Sequence, residues 1–116
     1  MDSPRFHGDC EWWTQVRIAQ LKRRIVQAAS IYSEPVALTL LDLIAEKAGT
    51  QISFLDLCRE AKLKKERAAA GLTNVTNIMK DEFSLEYEKT YWPVEIVFKP
   101  TRYCMSVEIA QRWREA

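Results

Sequence analysis

Arg67, Ala70, Thr73, Asn74 and Asn77 are spaced so that, on a helix, they share one face. Apart from Arg67 at its edge, that face carries short, uncharged side chains that hydrogen-bond or present a methyl. An Asn amide matches the major-groove edge of adenine, and Ala or Thr methyls meet the thymine methyl. Fully exposed helix faces more often carry Glu and Lys, which are better helix formers. The plain alternative is a solvated face of Thr and Asn. A run of cations precedes this face. Arg59, Lys62, Lys64, Lys65 and Arg67 stand against Glu60 and Glu66, a local charge of +3 over residues 59–67. Lys99 and Arg102 form a second basic pair. Cations so placed suit phosphate oxygens, which set register and supply most non-specific affinity. Ordinary surface lysines are the alternative.

Other chemistry has little to work with. His7 is the single histidine and lies in a segment that reads as a frayed tail, so no oriented base is available for a Ser-His-Asp or Cys-His site. Cys10, Cys58 and Cys104 are far apart and lack a CxxC pair, which disfavours a structural zinc site and a disulfide framework and suits a reducing, cytoplasmic compartment. Cys58 and Cys104 read as small buried hydrophobes. No dinucleotide or P-loop fingerprint occurs. The expectation is a protein without catalytic residues, metal or cofactor.

At 116 residues the chain suits one domain. Leu, Ile, Val and Phe number 29, enough to bury a core, and the run of apolar residues needed for a membrane span is missing. The first residues carry charge and lack an apolar stretch, so they do not read as a secretory signal. Net charge is only +1, so any nucleic-acid binding requires segregated charge.

Residues 1–9 read as a flexible tail and 10–116 as the domain. A long N-terminal helix, placed within 10–33 and running from about Glu11 to Tyr32, shows an apolar seam of Ile18, Leu21, Ile25, Ala28 and Tyr32. Pro35 opens a second helix to about Lys47, with Val36, Leu40, Leu43 and Ile44 inward and Gly49 as its stop. Gln51-Ile52 is a short extended link. Ser53 caps a third helix, Phe54–Ala61, with Asp56 at its positive end. After the turn Lys62-Leu63-Lys64, a fourth helix runs from about Lys65 to Lys80 on a stripe of Ala68, Leu72, Val75 and Met79. Gly71 sits inside it, costing about 1 kcal/mol relative to Ala. Residues 81–91 break the pattern and are acidic. Alternation from Trp92 to Val107 predicts a β-hairpin turning at Lys99-Pro100-Thr101-Arg102. Ser106 caps a last short helix, Val107–Arg114, within 107–116.

This order of elements resembles the winged helix-turn-helix superfamily over residues 35–107. The three helices within Val36–Lys80, the extended Gln51-Ile52 and the hairpin carry the resemblance. Trp92-Pro93-Val94-Glu95 with Tyr103-Cys104-Met105 is similar to segments of small bacterial stand-alone winged-helix proteins. The resemblance implies a mostly α fold with a small β-hairpin, preceded by a long helix and closed by a short one. It implies that residues 65–80 enter the major groove and that 92–107 form the wing. It implies a sequence-specific or general duplex DNA-binding protein, a transcriptional regulator, with Lys62, Lys64, Lys65, Lys99 and Arg102 on phosphates. The alternative is a winged-helix protein–protein interaction module.

The first helix admits two fates. Its seam packs within the chain, or it pairs with a second copy to make a homodimer through Trp12, Trp13, Ile18, Leu21, Ile25 and Tyr32. Adjacent residues on a helix point about 100° apart, so Trp12 and Trp13 cannot both be buried by one helix face, which leaves one ring for a partner. Arg17, Lys22, Arg23 and Arg24 read as a solvated face or a secondary phosphate contact. Tyr91, Trp92, Tyr103 and Trp113 fall on inward positions and read as core rather than as a platform for bases.

Overall fold

The computed structural model describes residues 11–28, 36–83 and 93–116. Among them the chain is mostly helical. The order is α1 (Gln15–Ala28), α2 (Val36–Glu46), β1 (Ile52–Ser53), α3 (Phe54–Ala61), α4 (Lys65–Phe83), β2 (Glu95–Val97), β3 (Arg102–Cys104) and α5 (Val107–Glu115). Predicted features at His7, Cys10, Tyr32, Pro35, Tyr91 and Trp92 lie outside the described residues, as do the 1–9 tail and residues 84–91 of the acidic stretch.

α1 begins at Gln15, four residues later than the seam predicts. Thr14 closes its first turn: its hydroxyl accepts from the Arg17 N–H and its carbonyl from the Ile18 N–H. Trp12 and Trp13 therefore precede the helix, and the argument from adjacent helical positions does not apply to them. Their rings meet edge to face at 4.9 Å, and Phe83 packs against both at 5.5 and 5.6 Å.

The same cluster corrects the other end of α4. The sequence pattern stops at Lys80, but the helix continues to Phe83 because distant residues hold its last turn. Arg24 binds Asp81 at 3.1 Å and Glu82 at 2.7 Å, and Gln20 donates to Glu82 at 2.7 Å. The Gln20 hydrogen bond, with Arg24 beside it, holds the Glu82 carboxyl below the usual range for Glu.

The predicted stripe of α4 is buried as expected, joined by Gly71 and Ile78. A Cβ on Gly71 would stand 2.7 Å from Val36 Cγ1 and 3.4 Å from the Ala37 backbone nitrogen. The glycine is thus what lets α2 and α4 approach so closely, which accounts for its place in mid-helix. On α2, Ala37, Leu40, Leu41, Ile44 and Ala45 are buried, while Val36 and Leu43 are half-buried against the core.

Gln51-Ile52 is more than a link. Ile52 and Ser53 form β1, which pairs antiparallel with β3, so the sheet order is β1-β3-β2. Ile52 and Ile96 both face Tyr103 across the ladder, and all three are buried. Burial pushes the Tyr103 hydroxyl up to about 12. The strands are shorter than the alternation from Trp92 to Val107 predicts. Val107 is exposed and opens α5, as expected, behind Ser106, whose hydroxyl accepts from the Ile109 N–H.

α5 closes the structure against α1 and α2. Trp113 is buried, and its Nε1 donates to Asp42 at 2.6 Å. Arg114 donates to the Ala45 carbonyl in the last turn of α2, and Lys22 to the Trp113 carbonyl in the last turn of α5. Cations at helix C-termini are favourably placed against the helix dipole.

The seam of α1 points into this core as far as Ile25, whereas Ala28, expected to continue it, is exposed. Trp13, Ile18 and Leu21 are completely buried by their own chain, and Ile25 retains 3% exposure. Trp13, Ile18, Leu21 and Ile25, expected to face a second copy if α1 pairs in a homodimer, are thus spent within the chain. Trp12 is half-buried, with the Arg17 guanidinium 4.3 Å over its ring.

Candidate nucleic-acid interface

The joint between α3 and α4 is set by local chemistry. Ser53 caps α3, its hydroxyl accepting from the Asp56 N–H at 3.1 Å. At the other end the chain turns through Lys62, whose φ of 58° is left-handed. The Lys62 N–H bonds the Arg59 carbonyl and the Leu63 N–H bonds the Cys58 carbonyl, a helix-stop pattern usually built on glycine. A side chain in this conformation costs about 1–2 kcal/mol. The other non-glycine residue with positive φ among the described residues is Lys99, at 65°. Both lysines belong to the predicted phosphate set.

Lys62, Lys64, Lys65, Arg67 and Lys99 are exposed, and none has an ion-pair partner among the described residues. Lys62 and Arg67 line one cleft with Val36, Thr39, Ala61 and Leu63, so the end of α3 and the start of α4 present cations together. Arg59 is different: Asp56 binds it at 2.8 Å. Glu60 in turn is taken by Lys47 at 3.3 Å. Those pairings remove Arg59 and Glu60 from the local charge and leave the lysines of the turn.

On α4, Ala70, Thr73, Asn74 and Asn77 are all exposed, on the side away from the buried stripe. The hairpin turn is tied to β1 and the start of α3. The Phe54 N–H bonds the Thr101 carbonyl at 3.0 Å, and Arg102 donates to Gln51 Oε1 at 3.2 Å and to the Pro100 carbonyl at 3.3 Å. Arg102 is thus half-buried and partly used in holding the hairpin, whereas Lys99 at the turn is exposed.

Three of the four α1 cations are spent inside the fold. Arg17 lies on Trp12, Arg24 binds the acids of α4, and Lys22 caps α5 and lies 5.1 Å over the Trp113 ring. Arg23 alone of the four is exposed. Cys58 is buried and Cys104 half-buried, and burial pushes both thiols up, away from the reactive thiolate. Among the described residues no group of three His, Cys, Asp or Glu is gathered as for a metal ion, and no helix is long and apolar enough to cross a membrane.

Sequence reasoning missed the roles of Gln51 and Gln20 as anchors, since nothing local to either residue signals its partner. No family model, curated protein or solved structure matches this chain.

Proposed function

We propose that this chain is a winged-helix protein that binds duplex DNA as a transcriptional regulator, with α4 as the recognition helix and the β2–β3 hairpin as the wing. The order α2, β1, α3, α4, β2, β3, with β1 closing onto β3, is consistent with that arrangement. One observation carries the reading: exposed cations at the α3–α4 joint, without an ion-pair partner among the described residues, lead into an exposed helix face of amides and methyls. Lys62 and Lys99 add to it. Each occupies a backbone conformation that glycine would adopt at lower cost, and each carries an exposed cation there.

A protein-binding module would present large apolar side chains on this face. Among the described residues, those that are exposed are Val16, Val26, Leu55 and Val107, on α1, α3 and α5, and none is on α4. That distribution favours a polyanionic partner over an apolar one.

The test is fluorescence anisotropy with mixed-sequence duplex at two salt concentrations, for the wild type and for Lys64→Ala/Lys65→Ala/Lys99→Ala. Binding should weaken for every duplex, and the log–log salt slope should fall by roughly 0.9 for each phosphate that the variant no longer neutralises. Absence of duplex binding at low salt overturns the reading. An unchanged slope removes these lysines from the interface.

A further inference from the structure

The outward face of α4 has a narrower chemistry than phosphate binding requires. Asn74 and Asn77 are exposed, and their amides have no hydrogen-bond partner among the described residues. Thr73 differs from both. Its hydroxyl donates to the Ala69 carbonyl at 3.0 Å, so the proton is spent inside the helix, and the methyl and the acceptor side of the oxygen are what a ligand meets. Ala70 adds a second exposed methyl. Charge lies only at the two ends of this face. Glu66 and Arg67 stand in the first turn, and Asp81, beyond the last amide, is held by Arg24.

From Ala70 to Asn77 the helix rises about 10 Å, at 1.5 Å per residue. That is close to three base-pair steps of roughly 3.4 Å each. In the major groove an A·T pair offers adenine N6 and N7 to an amide and the thymine methyl to apolar contact. A G·C pair offers the guanine acceptors, which suit Arg, and the cytosine amino group, which suits a carboxylate. The middle of the face fits the first pattern, and only its N-terminal end fits the second.

Resting on the duplex-DNA reading above, we propose that α4 selects duplexes by a run of about three to four A·T pairs read in the major groove. Asn74 and Asn77 bind adenine, and Ala70 and Thr73 contact thymine methyls. A G·C pair is accommodated at the Arg67 end.

The experiment uses the full chain and labelled duplex pools whose central positions are all A·T, all G·C, or all inosine·cytosine. An inosine·cytosine pair keeps the minor-groove pattern of A·T but shows the major-groove edge of G·C. The A·T pool should bind at least about tenfold more tightly than the G·C pool. The inosine·cytosine pool should fall to the G·C level. Asn74→Ala and Asn77→Ala should each lower the ratio of A·T to G·C affinity. Replacing thymine by uracil should weaken the wild type more than Thr73→Ser, which already lacks the methyl. Circular dichroism confirms that these exposed substitutions leave the helix folded. Equal binding of the pools, a G·C preference, or an A·T preference that survives inosine·cytosine overturns the inference while duplex binding stands. Failure of every pool to bind at low salt overturns duplex binding and this inference together.

Discussion

On α1, Arg17, Lys22 and Arg24 each have a fixed partner: an indole face, a helix C-terminus and two carboxylates. At the α3–α4 joint, Lys62, Lys64, Lys65 and Arg67 are exposed and have no ion-pair partner among the described residues. Both clusters are dense in cations, and the sequence alone does not separate them. Net charge is therefore the wrong quantity to weigh. A formal +1 averages cations already neutralised inside the fold with cations left for a ligand. It also divides the expected consequences. Substitutions in α1 should affect stability, and substitutions at the joint should affect binding.

Charging the α1 seam should have the largest effect. Leu21 and Ile25 are buried by the chain itself. A carboxylate there is left without a cation and must be desolvated or protonated, which costs several kcal/mol. Domains of this size hold only about 5–15 kcal/mol of stability. Leu21→Glu with Ile25→Glu should therefore abolish the cooperative melt followed by circular dichroism. A folded monomer with wild-type Tm would mean that the seam faces outward and that α1 serves an interface.

Gly71 sharpens the same contrast, because it seats α4 on α2 and so fixes where the candidate face points. Gly71→Ala gains about 1 kcal/mol of helix propensity. Against that, the new methyl meets Val36 at 2.7 Å, and overpacking costs about 1–3 kcal/mol. Tm should fall, and Val36→Ala in the same chain should recover part of the loss. A rise in Tm for the single variant would show that α2 and α4 are not held this closely.

The elements differ in how far the sequence revealed them. The stripe Ala68, Leu72, Val75 and Met79 and the caps Ser53 and Ser106 rest on local periodicity and local hydrogen bonds, so they were legible. The third strand was not, because Ile52 pairs with Tyr103 half the chain away. The extension of α4 to Phe83 was not either, since Arg24 on α1 and the two tryptophans just before it hold that turn. An apolar seam looks the same whether it packs within a chain or between chains, and that ambiguity produced the dimer expectation for α1. For the candidate site, the identity of the face was legible from spacing. Which cations remain unpaired depends on distant partners, and only the fold reveals it.

Lys62 tests the opposite side of the comparison. Glycine adopts its left-handed conformation without the steric cost, so Lys62→Gly should raise stability by about 1 kcal/mol. The same change removes a cation from the joint and should weaken duplex binding at low salt. Thermal melts and anisotropy on one preparation read both effects. A variant that loses stability would mean that the Lys62 side chain supports the fold, as the α1 cations do.

The smallest effect concerns Arg24. Arg24→Ala removes the bonds to Asp81 and Glu82 but leaves the Gln20 hydrogen bond to Glu82 in place. A half-exposed pair contributes little, so Tm should fall by less than in the Leu21/Ile25 or Gly71 variants. The pH dependence gives this ion pair its signature. The Glu82 carboxyl sits below its ordinary range in the folded chain, so its contribution is present above that range, which lies near pH ~4.3. It is lost as pH falls through the lowered folded value, where the carboxylate takes up a proton. The gap in Tm between wild type and Arg24→Ala should therefore hold from neutral pH into mild acid and close below it. Duplex affinity at neutral pH should be the same for both proteins, because this cation is already spent inside the fold. A clear loss of binding in Arg24→Ala would place α1 in the interface and erase the distinction between the two clusters.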